Sequence, residues 1–155
     1  MFSRVLIVCV GNICRSPMAV AMLRERCTAP GVHIDSCGLQ ACVGYGIEPT
    51  AQEVLDDFQV TGYEHRASQV TLQQLHWADL VLVMEHNHLR SVIKLAPEIR
   101  GKVALIGHWR DDMEIGDPFR RPKGAFVDTY NSLSRCVEDW LPHLGALASQ
   151  RSAHA

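Results

Sequence analysis

Cys9 and Arg15 stand six positions apart around Val10-Gly11-Asn12-Ile13-Cys14, and Ser16-Pro17 follow at once. A cysteine is a nucleophile as its thiolate, not as its thiol. An arginine can hold a tetrahedral oxyanion with two parallel N–H bonds, which a lysine cannot. Gly11 lets the backbone bend without a Cβ penalty, and Asn12 tolerates left-handed geometry while its amide can pin a loop. Ser16-Pro17 reads as a helix start, with Ser as the cap and Pro at the first helical position. The helix N-terminus, Arg15 and the inward N–H groups of the Val10–Ser16 loop would together stabilise a thiolate and a bound oxyanion. The Ser16 hydroxyl has two uses: its oxygen can accept a capping bond from a backbone N–H, and its hydrogen can be donated to the Cys9 sulfur. This is the equipment of phosphoryl transfer through a cysteine. The bare spacing Cys-x5-Arg is a weak pattern; its context gives it weight.

The elements that must position these residues alternate in type. Phe2–Val8 is rich in Val, Ile and Leu without a turn signal, as in a strand buried on both faces. A helix continues over Met18–Cys27, Pro30-Gly31 turns the chain, and Val32–Ser36 reads as a second strand. The glycine-rich run Gly38–Pro49 reads as a functional loop, with Leu39 and Tyr45 as candidate rim residues. Helices are expected over Thr50–Phe58 and Thr71–Trp77, a third strand over Asp79–Met84, a helix over His86–Leu95 and a fourth strand over Val103–Ile106. Residues 107–124 form a long polar stretch of the kind that is usually functional. From Ala125, the residues Phe126, Tyr130, Leu133, Val137, Trp140, Leu141 and Leu144 share one helical face, and Pro142 should kink or end that helix. The fold class is α/β: a single doubly wound domain over residues 1–148, a four-stranded parallel sheet with helices on both faces, and a flexible C-terminal tail at 149–155. Ligands of such sheets bind beyond the carboxyl ends of the strands, where Cys9 falls.

Composition excludes several functions. A chain of 155 residues is about one domain. Its net charge of -2 and the lack of a basic run argue against nucleic acid as a partner. The apolar start runs into Gly11-Asn12 too soon for a signal segment, and no run reaches a membrane span, so the expectation is a cytoplasmic protein without membrane insertion. The six cysteines are then thiols by default. There is no Cys-x-x-Cys, no zinc spacing, and His86 and His88 point apart on a helix, so no metal site is expected. Cys27, Cys37, Cys42 and Cys136 read as packing residues.

Val8–Pro17 resembles, at every position, the signature Val-Cys-x-Gly-Asn-x-Cys-Arg-Ser-Pro of the low-molecular-weight protein tyrosine phosphatases. Asp117-Pro118-Phe119 resembles the family's Asp-Pro-Tyr acid loop, at the expected distance before the last helix. The resemblance spans nearly the whole chain and implies the phosphotyrosine phosphatase I-like fold. It implies Cys9 as the nucleophile that becomes phosphocysteine, Arg15 as the phosphate ligand and transition-state stabiliser, and Asp117 as general acid, then base. Val10, Gly11, Asn12, Ile13, Cys14 and Ser16 would form the phosphate loop, held by a network of Asn12, Ser16, Ser36 and His65. Cys14 would be a redox partner for Cys9, and Phe119 a rim residue. No cofactor is implied, because thiolate, arginine and acid suffice. Independently, only Asp117 among Asp111, Asp112, Glu114 and Asp117 precedes a proline, which restricts its backbone. A positioned acid contributes ~10²–10⁴-fold.

The loop from Ser36 to Gly44 resembles the bacterial branch, in which such enzymes often oppose tyrosine autokinases of capsule or exopolysaccharide export. That reading implies a phosphotyrosine protein substrate, an autokinase as partner, and a monomer or weak dimer. The chain departs from the family at Phe119, where Tyr is common, at Ser68, where Arg is usual, and at Cys37 and Cys42, where Ala and Leu are frequent. Two alternatives stand beside the phosphatase. A thioredoxin-coupled arsenate reductase needs two further cysteines after the third strand, and residues 79–101 contain none. A non-catalytic phosphotyrosine-binding module usually lacks the nucleophile, the arginine or the acid, and all three are present. Arg120, Arg121 and Lys123 could steer an anionic substrate, or form a solvated basic patch.

Overall fold

The computed structural model describes residues 2–145. Four strands form one parallel sheet: β1 Arg4–Cys9, β2 His33–Gly38, β3 Leu80–Val83 and β4 Val103–Leu105, in the spatial order β2-β1-β3-β4. Five α-helices cover it: α1 Arg15–Arg26, α2 Pro49–Asp57, α3 Leu72–Trp77, α4 His86–Leu95 and α5 Lys123–Trp140. The family-implied four-stranded α/β architecture is therefore present. The expected boundary at 148 and the tail 149–155 lie outside the described residues.

The sheet separates two cores by simple alternation. Val5, Ile7, Cys9, Leu80 and Leu82 face the core shared with α1, α2 and α5. Leu6, Val8, Val81 and Val83 face the core under α3 and α4. Strands buried on both sides must be apolar at every position, which is why β1 and β3 read as continuous hydrophobic runs. Residues 15–23 of α1 are buried without interruption, so this part of the helix is packed on all sides, and only its last turn, Arg24–Arg26, reaches solvent.

Several boundaries differ from the sequence reading. Helix α1 begins at Arg15 with Cys14 at the cap position and no side-chain cap, so Ser16 is already inside the helix and Pro17 is not its first residue. Strand β2 runs on to Gly38, and α5 begins at Lys123. Lys123 holds Glu53 at 2.7 Å and Asp57 at 2.8 Å, tying the start of α5 to α2. It is thus engaged structurally and is not a free steering cation. Residues 107–124 are not structureless: Gly107 bridges Met113, and a Cβ at Gly107 would stand 2.0 Å from the Met113 carbonyl oxygen. After α5 the chain passes into a short 3₁₀ turn, Leu141–His143, around Pro142.

The first strand lies in the middle of the sheet, with β2 on one side and β3 on the other. Its connection through α1 leads to β2, and later elements build on the opposite side. The order therefore reverses at β1, and the crevice beyond its carboxyl end is the place where such sheets bind ligands. Cys9 is the last residue of β1.

Candidate active site

The chain between β1 and α1 wraps into a loop whose carbonyls all turn outward. The carbonyl oxygens of Cys9, Val10, Gly11 and Ile13 accept from the backbone N–H groups of Leu39, Gln40, Cys42 and Glu48, at 2.8–3.0 Å. That of Asn12 accepts from the His65 ring at 2.6 Å, and that of Cys14 accepts from the Met18 N–H. With the carbonyls committed to the surroundings, the amide groups face the other way. None of the N–H groups of residues 11–14 donates to a protein acceptor among the described residues. A ring of convergent N–H donors at a helix N-terminus is an anion site.

The loop closes around Asn12. It is fully buried and its φ is 59°, in the left-handed region. Its amide nitrogen donates to Ser16 Oγ at 2.7 Å and to Ser36 Oγ at 3.0 Å, while its Oδ1 accepts from the Ser68 N–H at 3.0 Å. Both amide hydrogens and the oxygen are thus used. Gly11, in contrast, has no positive φ, and a Cβ there would meet only ordinary contacts with Ile13 and Cys42. The left-handed bend belongs to Asn12, not to Gly11. The glycine that geometry demands is Gly38, where a Cβ would lie 2.5 Å from the Val10 carbonyl oxygen.

Ser16 Oγ lies 2.9 Å from Cys9 Sγ. Ser16 Oγ accepts from Asn12 and caps no helix, so its hydrogen is available to the sulfur when Cys9 is a thiolate. His65 Nε2 meets a carbonyl oxygen and therefore carries the proton, which leaves Nδ1 to accept from the Tyr63 hydroxyl at 2.9 Å. Burial holds the His65 pKa below the ordinary imidazole value, although the hydrogen bond to Asn12 works against this. A neutral His65 suits that donor–acceptor pattern.

Arg15 is 2% exposed. Its Nη1 donates to Glu85 Oε2 at 2.7 Å and to the Ile115 carbonyl oxygen at 2.8 Å. Its Nη2 lies 3.8 Å from Asp117 Oδ2. Glu85 also lies 3.3 Å from His88 Nε2, whose pKa is lowered first by burial and then by Arg15. Glu85 was missed by the sequence reading. It directly follows the buried Val83-Met84 at the end of β3, so its place at a strand's carboxyl end was the available signal.

Asp117 is about half exposed. Its Oδ1 accepts from the Phe119 N–H at 3.0 Å, forming a local turn that holds the carboxylate beside Arg15. Two residues earlier, the Ile115 N–H donates to the Met84 carbonyl oxygen and anchors the segment on β3. Arg120 lies over the Phe119 ring, 5.4 Å from its centre.

These residues surround a cavity of about 210 Å³, lined by Cys9, the loop residues 10–15, Asp117, Phe119, Gln40 and Cys42. Of the expected rim residues, Phe119 lines it, whereas Leu39 and Tyr45 do not. Leu39 packs against the core under α3 and α4, and Tyr45 points to solvent at 68% exposure. Cys42 is a cavity residue and not the packing residue expected. All six cysteines are free thiols. Burial pushes the Cys14 thiol far above its usual range, with Glu48 next in effect.

This chain matches the family model "Low molecular weight phosphotyrosine protein phosphatase" over residues 4–152. It is 41% identical to the low molecular weight protein-tyrosine-phosphatase Wzb of Escherichia coli K12, across 94% of this chain and 98% of that protein. The crystal structure of the Erwinia amylovora tyrosine phosphatase AmsI superposes with a TM-score of 0.87 at 38% identity, covering 93% of this chain and 94% of that one. An arginine phosphatase, YwlE of Geobacillus stearothermophilus, superposes equally well (TM-score 0.87) at 30% identity, covering 99% and 97% of the two chains. The chain belongs to the low molecular weight phosphotyrosine protein phosphatase family.

Proposed function

We propose that this domain, assigned to residues 1–148, hydrolyses phosphotyrosine in proteins, and aryl phosphates, in two displacements. The carrying observation is the loop whose carbonyls from residue 9 to 14 all turn outward. It leaves the N–H groups and Arg15 to bind the phosphoryl oxygens around Cys9. In the first step Cys9 Sγ attacks phosphorus and the bond to the phenolic oxygen breaks, with Asp117 donating its proton to that oxygen. In the second, Asp117 takes a proton from water, the water oxygen bonds to phosphorus, and the P–S bond returns its electron pair to sulfur. The Ser16 hydroxyl, 2.9 Å away, donates to the thiolate that leaves.

Arg15 is rigid before substrate arrives, because Glu85 and Ile115 hold one of its nitrogens and leave the other toward the cavity. That preorganisation removes reorganisation from the chemical step. The mouth carries the apolar side chains of Ile13, Val10 and Phe119, which suit a phenyl ring better than a charged guanidinium. Phosphotyrosyl peptides should therefore be turned over in preference to phosphoarginyl peptides of the same sequence.

The similarity to Wzb and AmsI and the bacterial-looking loop support a cytoplasmic phosphatase that opposes a tyrosine autokinase in exopolysaccharide or capsule production. Among the described residues, no helix is long and apolar enough to cross a membrane. Under peroxide, Cys9 would oxidise to the sulfenic acid, and Cys14 would displace water to form a Cys9–Cys14 disulfide. Burial, which raises the Cys14 pKa, opposes the ionisation of that thiol.

The decisive experiment is hydrolysis of p-nitrophenyl phosphate by wild type, Cys9→Ser and Asp117→Asn. An inactive Cys9→Ser and an impaired Asp117→Asn are expected; an active Cys9→Ser overturns the reading. A Cys136→Ser variant, outside the cavity lining, that keeps full activity distinguishes this chemistry from a cysteine-relay reductase.

A further inference from the structure

A second groove, of about 560 Å³, adjoins the catalytic cavity and shares Val10 and Gln40 with it. Leu39 forms part of its wall, and the rest comes from one side of α4, ending in Lys94 and Leu95. Leu95 is a large apolar side chain left 50% exposed. Lys94 is the one cation in the lining, has no ion-pair partner among the described residues, and no carboxylate lines the groove with it. His88, also in the lining, is 4% exposed, and its Nδ1 has no hydrogen-bond partner. The catalytic chemistry uses none of Leu39, Lys94 or Leu95.

We propose that this groove is a specificity subsite for the polypeptide flanking the phosphotyrosine, taking an apolar side chain against Leu39 and Leu95 and an acidic one on Lys94. The inference rests on the phosphotyrosine reading above and adds a sequence preference to it. Three observations select this occupant. The groove and the phosphate cavity share Val10 and Gln40 in their walls, so a chain whose phosphotyrosine sits on the loop meets the groove within a few residues. Its apolar surface lies on a helix end facing solvent, where burial by a ligand side chain is favourable. Its charge is positive and unpaired, which suits an acidic neighbour. A small aryl phosphate carries no flanking chain to place in the groove and so reports on the cavity alone.

The test compares phosphotyrosyl peptides carrying a Leu-Glu pair on one side of the phosphotyrosine, then on the other, with peptides carrying Ser-Gly there. p-Nitrophenyl phosphate is the control. Wild type should favour one Leu-Glu peptide by about tenfold in kcat/KM, carried by KM. Leu95→Ser and Lys94→Glu, both on the exposed end of α4, should erase that preference and leave p-nitrophenyl phosphate turnover unchanged. Lys94→Glu should regain it on a Leu-Lys peptide. Equal kcat/KM for all peptides with wild type overturns the subsite, as do variants that keep the wild-type preference or lose turnover equally on p-nitrophenyl phosphate. Wild type that cleaves p-nitrophenyl phosphate and no phosphotyrosyl peptide overturns the phosphotyrosine reading itself.

Discussion

The phosphate loop and the acid loop serve one cavity and are built in opposite ways. Around Cys9 the chain is buried or half-buried, each carbonyl from residue 9 to 14 has a partner, and Asn12 ties three neighbours at once. Around Asp117 the chain is half exposed and is held by a few links: Ile115 to Met84, Arg15 to Ile115, and a local turn at Phe119. A site that must present several donors to one anion gains from rigidity, because any donor that has to move costs rate. An acid that must meet different leaving groups needs only a correct approach, so a loosely held carboxylate suffices.

That contrast can be broken by substitution. Cys9→Ser should have the largest effect, lowering kcat on every substrate by about 10⁴-fold or more. Asp117→Asn should cost ~10²–10⁴-fold on aryl phosphates with poor leaving groups, and much less on those with good ones. A leaving-group series showing the same loss throughout would put Asp117 outside the acid role. Glu85→Ala leaves Arg15 Nη1 on the Ile115 carbonyl alone and should lower kcat/KM about 10- to 100-fold, equally for good and poor leaving groups. A leaving-group dependence for Glu85→Ala would mean that the two loops are not separable.

Asn12→Ala should act on the fold as well as on rate. It strands Ser16, Ser36 and the Ser68 N–H and asks alanine to hold φ 59°, a loss of about 2–4 kcal/mol by denaturant titration. The smallest effect concerns pH. Burial lowers the folded pKa values of His65 and His88, so the unfolded chain binds protons first on acidification. Stability from these groups is complete above the unfolded value of about 6.5 and is lost as pH falls from there toward the folded values. The urea midpoint should therefore drop between about pH 7 and pH 5, with a shallower drop in His65→Asn.

Much of this was legible in the chain. The runs Phe2–Val8 and Asp79–Met84 read as strands covered on both faces, and the alternation of strands and helices pointed to a parallel sheet. Cys9, Asn12, Arg15 and Ser16 stand so close in sequence that local geometry alone brings them together. Residues that reach the site from afar were harder to see. Glu85 is seventy positions from Arg15 and looks like any surface glutamate before the fold places β3 next to β1. Cys42 and Gln40 reach the cavity because their N–H groups dock on Gly11 and Val10, while Leu39 and Tyr45, read as rim, point elsewhere. In a loop, side-chain direction depends on turn geometry that no hydrophobic period encodes.

By itself, the sequence placed a cysteine, an arginine and a helix start within eight residues, at the end of an apolar run that reads as a strand buried on both faces. Only the tertiary structure decided how that chemistry is aimed. The outward carbonyls docked on residues 39–48 and His65, the Glu85 brace on Arg15 and the groove along α4 all join segments far apart in the chain. The reason is physical: local propensity sets what each segment can be, but the direction of a hydrogen bond or a cavity wall exists only once the segments are packed together.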